Sequence, residues 1–284
     1  MPNLRELRSR IKSVDSTSRV TKALQMIAAA KMKKAQDKVM KGRSYSEKLD
    51  SILSNVYSSN PELFSKSEKS KTDNNLLLLI TPDRGLCGAL VSNVIRTASN
   101  YLDENRTERE IFVLGKKGNS FMLRSKQEVS ESFNVSDMPT FEEVSPISKI
   151  IIDKYSRGEF EQFNIIFSEF VSTAVQKAKI KRLLPVDLDK ENQVEASNTD
   201  FLYEPSIASV SKALIPRYIE MNIFNAVLNS IASEHSARLV AMQNATDNAN
   251  ELKQDLTLDL NKARQQQVTS EILDIIGGAL ALDN

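Results

Sequence analysis

The sequence predicts an α/β domain with a mostly parallel sheet, joined to a long antiparallel α-helical coiled coil that the N- and C-terminal helices form. Three observations lead to this fold class. Helix-breaking residues are concentrated in the middle of the chain, the two ends carry opposite charge, and short apolar runs alternate with helix-length segments between them. Together they divide the chain into two helical ends and a folded middle.

Glycine and proline, which interrupt helices, are concentrated between residues 61 and 216. Seven of the eight prolines and five of the eight glycines fall there, whereas residues 217–276 contain neither. A helical pattern of that length without a stop signal is typical of a coiled coil. We therefore assign residues 1–60 and 208–284 to the coiled-coil segments, with Pro216 at a first helical position, where its missing N–H costs nothing.

The apolar residues of both ends follow the spacing of amphipathic helices. A polar gap at Ser18 and Thr21 interrupts the N-terminal stripe. The stripe runs through Leu4, Leu7, Ile11, Val14, Leu24 and Ile27, and a C-terminal stripe runs through Leu239, Met242, Ala245, Leu252 and Leu256. We expect these residues to face the partner helix.

The charges of the two ends favour their pairing. Residues 1–50 carry 13 basic and 5 acidic side chains, whereas residues 217–284 carry 5 basic and 9 acidic ones. Helices of opposite sign pair more readily than like ones. Because both ends leave the same folded middle, the simplest arrangement is an antiparallel pair.

The middle of the chain, residues 75–204, has the alternation expected of βαβ units. Short apolar runs at residues 76–80, 111–114 and 163–167 predict strands, and another strand is predicted near 180–186. Helix-length segments lie between them at about 88–103, 116–125 and 143–157. This order predicts a Rossmann-like domain with a mostly parallel sheet.

Composition excludes several kinds of site. With 38 Lys and Arg against 37 Asp and Glu, the chain has no overall charge that would favour nucleic acid. The lone Cys87 and lone His235 cannot form an internal disulfide or a Cys/His zinc site. No apolar run approaches the ~20 residues of a membrane-spanning helix. We therefore expect no metal, no cofactor and no nucleic-acid partner.

Three features invite a chemical interpretation, and each has a structural alternative that we prefer. The segments 81–88 and 115–120 follow predicted strands but lack the glycine spacing of nucleotide-binding loops, so we interpret them as tight turns. We expect His235 to be a solvated or partner-facing helix residue, because no catalytic motif accompanies it. The basic run between Lys31 and Arg43 is interpreted as a solvated helix face, or one that meets an acidic protein. We predict no catalytic residue.

The predicted helices raise a question of geometry. A helix from Pro216 to about Leu282 would be ~100 Å long, whereas a domain of this size has a diameter of about 36 Å. The last residues, 272–282, are almost entirely apolar. An exposed end of that kind marks a protein interface, so we expect another polypeptide to enclose it.

Several segments of the chain resemble the gamma subunit of F-type ATP synthase, in the order of that family and from end to end. The matching segments are 11–14 (IKSV), 19–32 (RVTKALQMIAAAKM), 81–88 (TPDRGLCG), 202–205 (LYEP), 233–242 (SEHSARLVAM), 245–249 (ATDNA), 261–264 (NKAR) and 268–279 (VTSEILDIIGGA).

The resemblance implies a central rotor shaft that is not itself catalytic. In this family two coiled helices turn inside a ring of alternating alpha and beta subunits (alpha3beta3), and the α/β foot domain joins the epsilon subunit and the membrane c-ring. Rotation couples proton flow to ATP synthesis or hydrolysis. The implied contact with the membrane is through the complex alone, on the cytoplasmic side of a bacterial plasma (inner) membrane.

The resemblance also implies particular contact residues. Lys22, Leu24 and Met26 match positions where the shaft meets the acidic lever of a beta subunit. Arg264, Gln265, Thr269 and Glu271 match contacts with a beta-subunit loop farther along the shaft. The enclosed apolar tip is assigned to Ile272, Ile275, Ile276, Ala279 and Leu282.

Two alternatives remain open from the residues alone. One is a coiled-coil scaffold without a rotary role, and the other is a small α/β enzyme with helical dimerisation arms. Mixing the chain with alpha and beta subunits distinguishes the first from a shaft, and nucleotide binding by the isolated chain tests the second.

Overall fold

The computed structural model describes residues 4–59, 74–105, 109–185, 204 and 206–282. Five helices and five strands lie in these ranges. In chain order they are α1 (Leu4–Ser59), β1 (Asn75–Ile80), α2 (Leu90–Glu104), β2 (Arg109–Leu114), α3 (Lys116–Arg124), β3 (Glu131–Phe133), α4 (Phe141–Ser156), β4 (Gln162–Phe170), β5 (Gln176–Leu184) and α5 (Ile207–Leu282).

The five strands form one sheet in the order β3-β2-β1-β4-β5. Strand β1 pairs in parallel with β2 and β4, β2 pairs in parallel with β3, and β4 and β5 form an antiparallel hairpin. The predicted mostly parallel sheet and the long terminal helices are therefore confirmed. The prediction missed β3, a three-residue strand without an apolar run.

The sheet is covered by helices on both faces, which explains why its central strands are apolar at consecutive positions. In β1, Leu76, Leu78 and Ile80 pack with α4 and with parts of α1 and α5. Leu77 and Leu79 point the other way and pack with α2 and with Met122 of α3. Successive side chains of a strand alternate between faces, so a single run of five apolar residues serves two cores.

The chain divides into two compact units. Residues Ala28–Arg238 contain the sheet and are called the sheet unit below. Residues Met1–Ile27 and Leu239–Asn284 contain the beginning of α1 and the end of α5, and are called the helical unit. Each unit has its own contacts between the two long helices.

In the helical unit the two helices run antiparallel. Asp15 pairs with Lys253, and earlier residues of α5 meet later residues of α1: the Ser18 hydroxyl donates to Asn250 Oδ1, and the Thr21 and Thr246 hydroxyls lie 2.7 Å apart. The predicted antiparallel pair is thus confirmed. The polar gap at Ser18 and Thr21 is filled by polar partners from the opposite helix.

The predicted apolar stripes were wrong at two positions. Ile27 is 52% exposed and Leu252 is 49% exposed. On α1 the line that faces α5 repeats every seven residues: Leu7, Thr21 and Ala28 are buried, and Val14 is half-buried. On α5, Lys253 rather than its neighbour Leu252 reaches across to α1. The seven-residue register therefore places Thr, Ala and Lys in the seam, where the apolar pattern alone does not reveal it.

The predicted helix start at Pro216 was also wrong, because α5 begins at Ile207 and Pro216 lies inside it. A proline inside a helix removes a backbone hydrogen bond and crowds the preceding turn. Here the helix continues on both sides, with Ser211 buried before the proline and Tyr218 and Ile219 buried after it. Packing on both sides of the proline outweighs its local preference.

The paired threonines of the helical unit allow a test of its seam. Thr21 and Thr246 are both buried, so Thr246→Val should destabilise the unit by about 1 kcal/mol, since the Thr21 hydroxyl loses its cross-helix partner. Replacing both threonines by valine should recover part of that loss, because the Thr21 hydroxyl, which in the single variant keeps only the Ser18 carbonyl of its own helix, is then absent.

The measurement for this prediction is amide hydrogen exchange of residues 8–27 and 239–256. Thr257→Val is the matched control, because the Thr257 hydroxyl is exposed and donates to the Lys253 carbonyl of its own helix. A double variant less protected than Thr246→Val would show that the two hydroxyls are not coupled.

None of the helices within residues 4–59, 74–105, 109–185 and 206–282 has the length and apolar character that crossing a bilayer requires.

Candidate functional site

The first predicted contact group lies on the part of α1 that belongs to the helical unit. Lys22 and Met26 are exposed, Met26 by 61%, and Leu24 is half-buried. Lys22 and Met26 are four residues apart and share one side of the helix. Leu24 instead shares a side with Val20 and Ile27, neither of which was predicted to contact a beta subunit.

Val20, Leu24 and Ile27 follow the four- and three-residue spacing of one helix face and form an apolar patch. Val20 is 56% exposed and Ile27 is 52% exposed. The seven-residue register of the seam is the signal that could have found them, because it leaves positions 20 and 27 outside the pair. An apolar patch beside basic Lys22 suits a partner with an acidic, partly apolar surface.

The second predicted group lies near the end of α5 and is exposed. The structure places its members on two sides of the helix: Gln265 and Thr269 are four residues apart, and Arg264 and Glu271 are seven apart. The Thr269 hydroxyl donates to the Gln265 carbonyl, and Glu271 accepts a hydrogen bond from Gln267 Nε2. Arg264, Gln265 and Thr269 therefore present side chains that a partner can reach.

The predicted apolar tip is exposed where its side chains are described. Ile272, Ile275 and Ile276 are 50%, 71% and 51% exposed. Ala279 and Leu282 belong to the same helix, but their side chains lie outside the described ones. Two exposed residues that the prediction missed, Val268 and Leu273, extend the apolar surface.

The end of α5 extends past its partner helix. The Asp15–Lys253 pair aligns the two antiparallel helices. Leu4, the first described residue of α1, lies eleven residues before Asp15 and is therefore level with Arg264, which lies eleven residues after Lys253. Among the residues that the structure describes, α5 therefore continues alone from about 265 to 282. Val268, Ile272, Ile275 and Ile276 share one face of this single helix, which is amphipathic and exposes its apolar side.

A second candidate, in the sheet unit, surrounds the turn at residues 81–88 after β1. Arg238 of α5 donates to the Gly85 carbonyl at 3.1 Å and to Glu234 Oε1 at 2.7 Å, and its Nη1 lies 3.3 Å from His235 Nδ1. The prediction that His235 is solvated or partner-facing was wrong, because the residue is only 5% exposed. The sequence around His235 does not show that the sheet and the turn cover this side of α5.

The buried groups at this turn have shifted pKa values. Burial, with help from the Arg238 and Lys31 cations, lowers the pKa of His235 from 6.5 to about 4, against the opposing effect of Asp137. Burial raises the pKa of Glu234, and the Arg238 cation limits that rise. His235 is therefore neutral near pH 7, and its buried ring serves packing and hydrogen bonding.

The adjoining cavity is too small for a nucleotide. Its volume is about 40 Å³, and Thr81, Asp83, Ser136, Glu234 and His235 are among the residues that line it. Pockets for ligands of nucleotide size occupy several hundred Å³. The Asp83 carboxylate accepts a hydrogen bond from the Lys116 backbone N–H, so a side chain of the protein itself occupies the start of α3.

Part of the basic run on α1 contacts the protein's own loop before α4. Lys31 forms an ion pair with Asp137, and Lys38 donates to the carbonyls of Met138 and Pro139. Lys33 and Lys34 are exposed. The interpretation as a solvated face therefore holds for only part of the run. Among the described residues, no group of three or more His, Cys, Asp and Glu could hold a metal ion.

Comparison with known proteins identifies the family. Residues 3–282 match the family described as ATP synthase. The chain is 43% identical to the ATP synthase gamma chain of Dehalococcoides mccartyi strain BAV1, over 99% of this chain and 100% of the relative. It is 40% identical to the ATP synthase gamma chain of Roseiflexus castenholzii, over 99% of each.

Solved structures agree with the sequence relatives. A chain from the central stalk and c-ring structure of the Tetrahymena thermophila mitochondrial ATP synthase is 26% identical, with a TM-score of 0.64 over 80% of this chain and 99% of that one. A chain of the Euglena gracilis mitochondrial ATP synthase, 20% identical, has the same fold, with a TM-score of 0.68 over 98% and 94%. None of these matches supports the scaffold or small-enzyme alternatives. The chain belongs to the ATP synthase gamma chain family.

Proposed function

We propose that this gamma chain is a central rotor shaft that couples proton flow through the membrane sector to ATP synthesis or hydrolysis by rotation, without catalysing a reaction itself. The observation that carries the proposal is the unpartnered end of α5. From about residue 265 onward it is a single helix among the described residues, with Ile272, Ile275 and Ile276 exposed by half or more. A surface of that kind requires an enclosing partner.

In this proposal the chain has three parts. Residues 1–60 and 208–284 form the shaft, and residues 75–204 form the foot domain. A ring of alpha and beta subunits encloses the shaft, and the foot contacts the epsilon subunit and the c-ring. The complex places the chain peripherally on the cytoplasmic side of a bacterial plasma membrane. ATP chemistry belongs to the ring.

Rotation has a physical consequence because the proposed shaft differs from side to side. The helical unit presents the apolar patch Val20, Leu24 and Ile27 on α1, whereas the lone end of α5 presents an apolar face on one side and polar residues such as Asp274 on the other. A partner is shifted between conformations only by contacts that differ between them. Turning an asymmetric shaft supplies such differences to successive beta subunits.

Two contact regions are proposed along the shaft. Lys22, Leu24 and Met26 meet the acidic lever of a beta subunit, and the basic excess of residues 1–50 favours that contact. Arg264, Gln265, Thr269 and Glu271 meet a beta-subunit loop farther along. Beyond them, Ile272, Ile275, Ile276, Ala279 and Leu282 lie inside the ring.

The test of the proposal is reconstitution of the full chain with purified alpha and beta subunits. We expect the chain to raise the ATPase activity of the ring, because it forces the beta subunits through unequal states. An activity equal to that of alpha and beta alone would contradict the shaft. Tight stoichiometric nucleotide binding by the isolated chain would instead support the small-enzyme alternative.

A variant of the apolar tip tests the contact with the ring independently of the folding of the chain. Ile272→Ser, Ile275→Ser and Ile276→Ser together should leave the unfolding midpoint of the isolated chain unchanged, because these side chains are already exposed. ATP-driven proton pumping by the reconstituted complex should fall several-fold, since the ring loses apolar contacts with the shaft.

The matched control for the tip is Ser270→Ala with Asp274→Asn, on the opposite side of the same turns. We expect it to retain most of the pumping. Stepwise shortening from residue 284 should weaken coupling gradually, because many contacts share the load. Loss of folding after a short truncation would show that the tip belongs to the core of the chain.

A further inference from the structure

Three serines of α5, Ser230, Ser233 and Ser236, are buried and spaced three residues apart. They are called the serine row below. All three lie in the last turns of α5 that belong to the sheet unit, which ends at Arg238. Their hydroxyl groups contact β4 and the hairpin loop that follows it, so they join the long helix directly to the sheet.

Two hydroxyls of the row form hydrogen bonds with β4 beyond the point where its pairing with β1 ends. Strand β1 ends at Ile80, and its last pair with β4 is Leu79 with Ile166, so β4 continues beyond its neighbour. Ser168, two residues past that pair, is 3% exposed. Its backbone N–H donates to the Ser230 hydroxyl at 3.3 Å, and its carbonyl accepts from the Ser233 hydroxyl at 3.1 Å.

The third hydroxyl extends the connection to the hairpin loop. Ser236 donates to the Thr173 carbonyl at 2.8 Å and accepts from Gln176 Nε2 at 3.3 Å. Both Ser233 and Ser236 are fully buried. Without these hydroxyls the Ser168 N–H and carbonyl would lose these partners inside the protein, which is unfavourable.

The row differs in kind from the apolar packing around it. Ile223, Val227 and Ile231 of α5 pack against the apolar face of the sheet, but apolar burial is non-directional and resists rotation of a helix only weakly. Hydrogen bonds require defined distances and angles. A helix held by both is fixed in its axial position and in its rotation.

On α1 the polar contacts with the loop before α4 have a different character. Lys31 and Lys38 reach the loop before α4 through long, flexible side chains. The exposed Lys31–Asp137 pair contributes little. The buried serine hydroxyls are short and contact backbone groups directly. Among the contacts described here, those of α5 are therefore the stiffer connection.

We infer that the serine row is a positioning device that fixes the rotation of α5 against the sheet, so that torque passes between the foot domain and the shaft without slippage. The inference rests on the proposed rotary function. Under load, a shaft whose α5 turns against the sheet would let the ring hydrolyse ATP without a matching movement of protons.

The experiment uses the complete complex with the triple variant Ser230→Ala, Ser233→Ala and Ser236→Ala. We expect the variant chain to stimulate ring ATPase as the parent does, because α5 beyond Arg238 is unchanged. The number of protons pumped per ATP hydrolysed should fall at least two-fold. Ser211→Ala is the matched control, since Ser211 is buried on the same helix and its hydroxyl donates to the Ile207 carbonyl of that helix.

The outcomes separate the inference from the function on which it rests. If the parent chain itself fails to stimulate the ring, the proposed function is wrong. If the parent works and the triple variant pumps as many protons per ATP as Ser211→Ala, the serine row does not fix the shaft. If the triple variant does not assemble, the number of protons pumped per ATP is measured for Ser233→Ala alone. A reduced number supports the inference, and an unchanged number overturns it.

Discussion

Replacing Gly115 by alanine is expected to destabilise the sheet unit by about 4 kcal/mol, a large effect for one methyl group. Gly115 joins β2 to α3 with a φ of +101°, which side chains rarely permit. A Cβ atom at this position would lie 2.0 Å from the Thr81 carbonyl oxygen and 2.8 Å from the Thr81 carbonyl carbon. Backbone cannot move aside as a flexible side chain does.

The surrounding contacts leave Gly115 little freedom to shift. The Thr81 N–H donates to the Leu114 carbonyl at 2.8 Å, and the Gly115 N–H donates to the Phe133 carbonyl at 3.2 Å. The Gly118 N–H donates to the Thr81 hydroxyl at 2.8 Å. Displacing Thr81 would therefore disturb the ends of β1 and β2 and the start of α3 together.

Urea unfolding followed by tyrosine fluorescence measures this effect. All six tyrosines lie between residues 28 and 238 and the chain has no tryptophan, so the signal reports the sheet unit. Gly85→Ala is the matched control, because a Cβ at Gly85 would meet no heavy atom within 4 Å. We expect the control to stay within about 1 kcal/mol of the parent. Equal midpoints for the two variants would contradict the close contact at Gly115.

His235 is expected to make the sheet unit less stable as the pH falls from 6.5 to 4. The folded protein holds the neutral ring, with a pKa of about 4, whereas the unfolded chain binds a proton near 6.5. Because the unfolded state binds more protons in this range, acid favours unfolding. The difference between these pKa values corresponds to about 3 kcal/mol by pH 4.

The variant His235→Gln isolates this contribution. Glu234 has a raised pKa, so its protonation has the opposite sign and stabilises the folded state as the pH falls. Glu234 and Asp137 titrate in both proteins, and comparison of the two leaves mainly the His235 effect. The free energy of unfolding, measured at pH 7, 5.5 and 4.5, should decline more steeply in the parent. Parallel curves would show that His235 is not held neutral.

The sequence predicted the fold correctly where the residue types are compatible with only one kind of secondary structure. The absence of glycine and proline from 217–276 and the apolar runs of β1, β2 and β4 predicted the long helices and the centre of the sheet. Strand β3 could not be predicted, because it has only three residues, Glu131 and Ser132 are exposed, and the strand depends on β2 for pairing.

The details of the helix pair depended on partners that a single helix does not reveal. Thr21 is buried because Thr246 faces it, and Lys253 lies in the seam because Asp15 accepts its hydrogen bond. That bond also lowers the pKa of Asp15. The seam therefore contains polar residues at positions where an apolar stripe was expected.

The candidate site was predictable in part. The contact residues came from family resemblance, and Met26, Arg264 and Thr269 are exposed as a partner contact requires. The patch at Val20 and Ile27 follows only once the seam register is known. The burial of His235 and the contacts of the serine row arise from the placement of α5 against the sheet, which local sequence does not encode.

The most direct test of the shaft is observation of rotation. Cysteine replaces Lys177, an exposed residue of β5 in the foot domain, and carries an optical probe; native Cys87 is buried, so labelling is selective. The ring is immobilised and ATP is added. If the chain is the rotor shaft, the probe turns continuously in one direction, at a rate that follows ATP hydrolysis. A probe that only fluctuates about a fixed angle, while the same immobilised complexes hydrolyse ATP at the stimulated rate, would contradict that role.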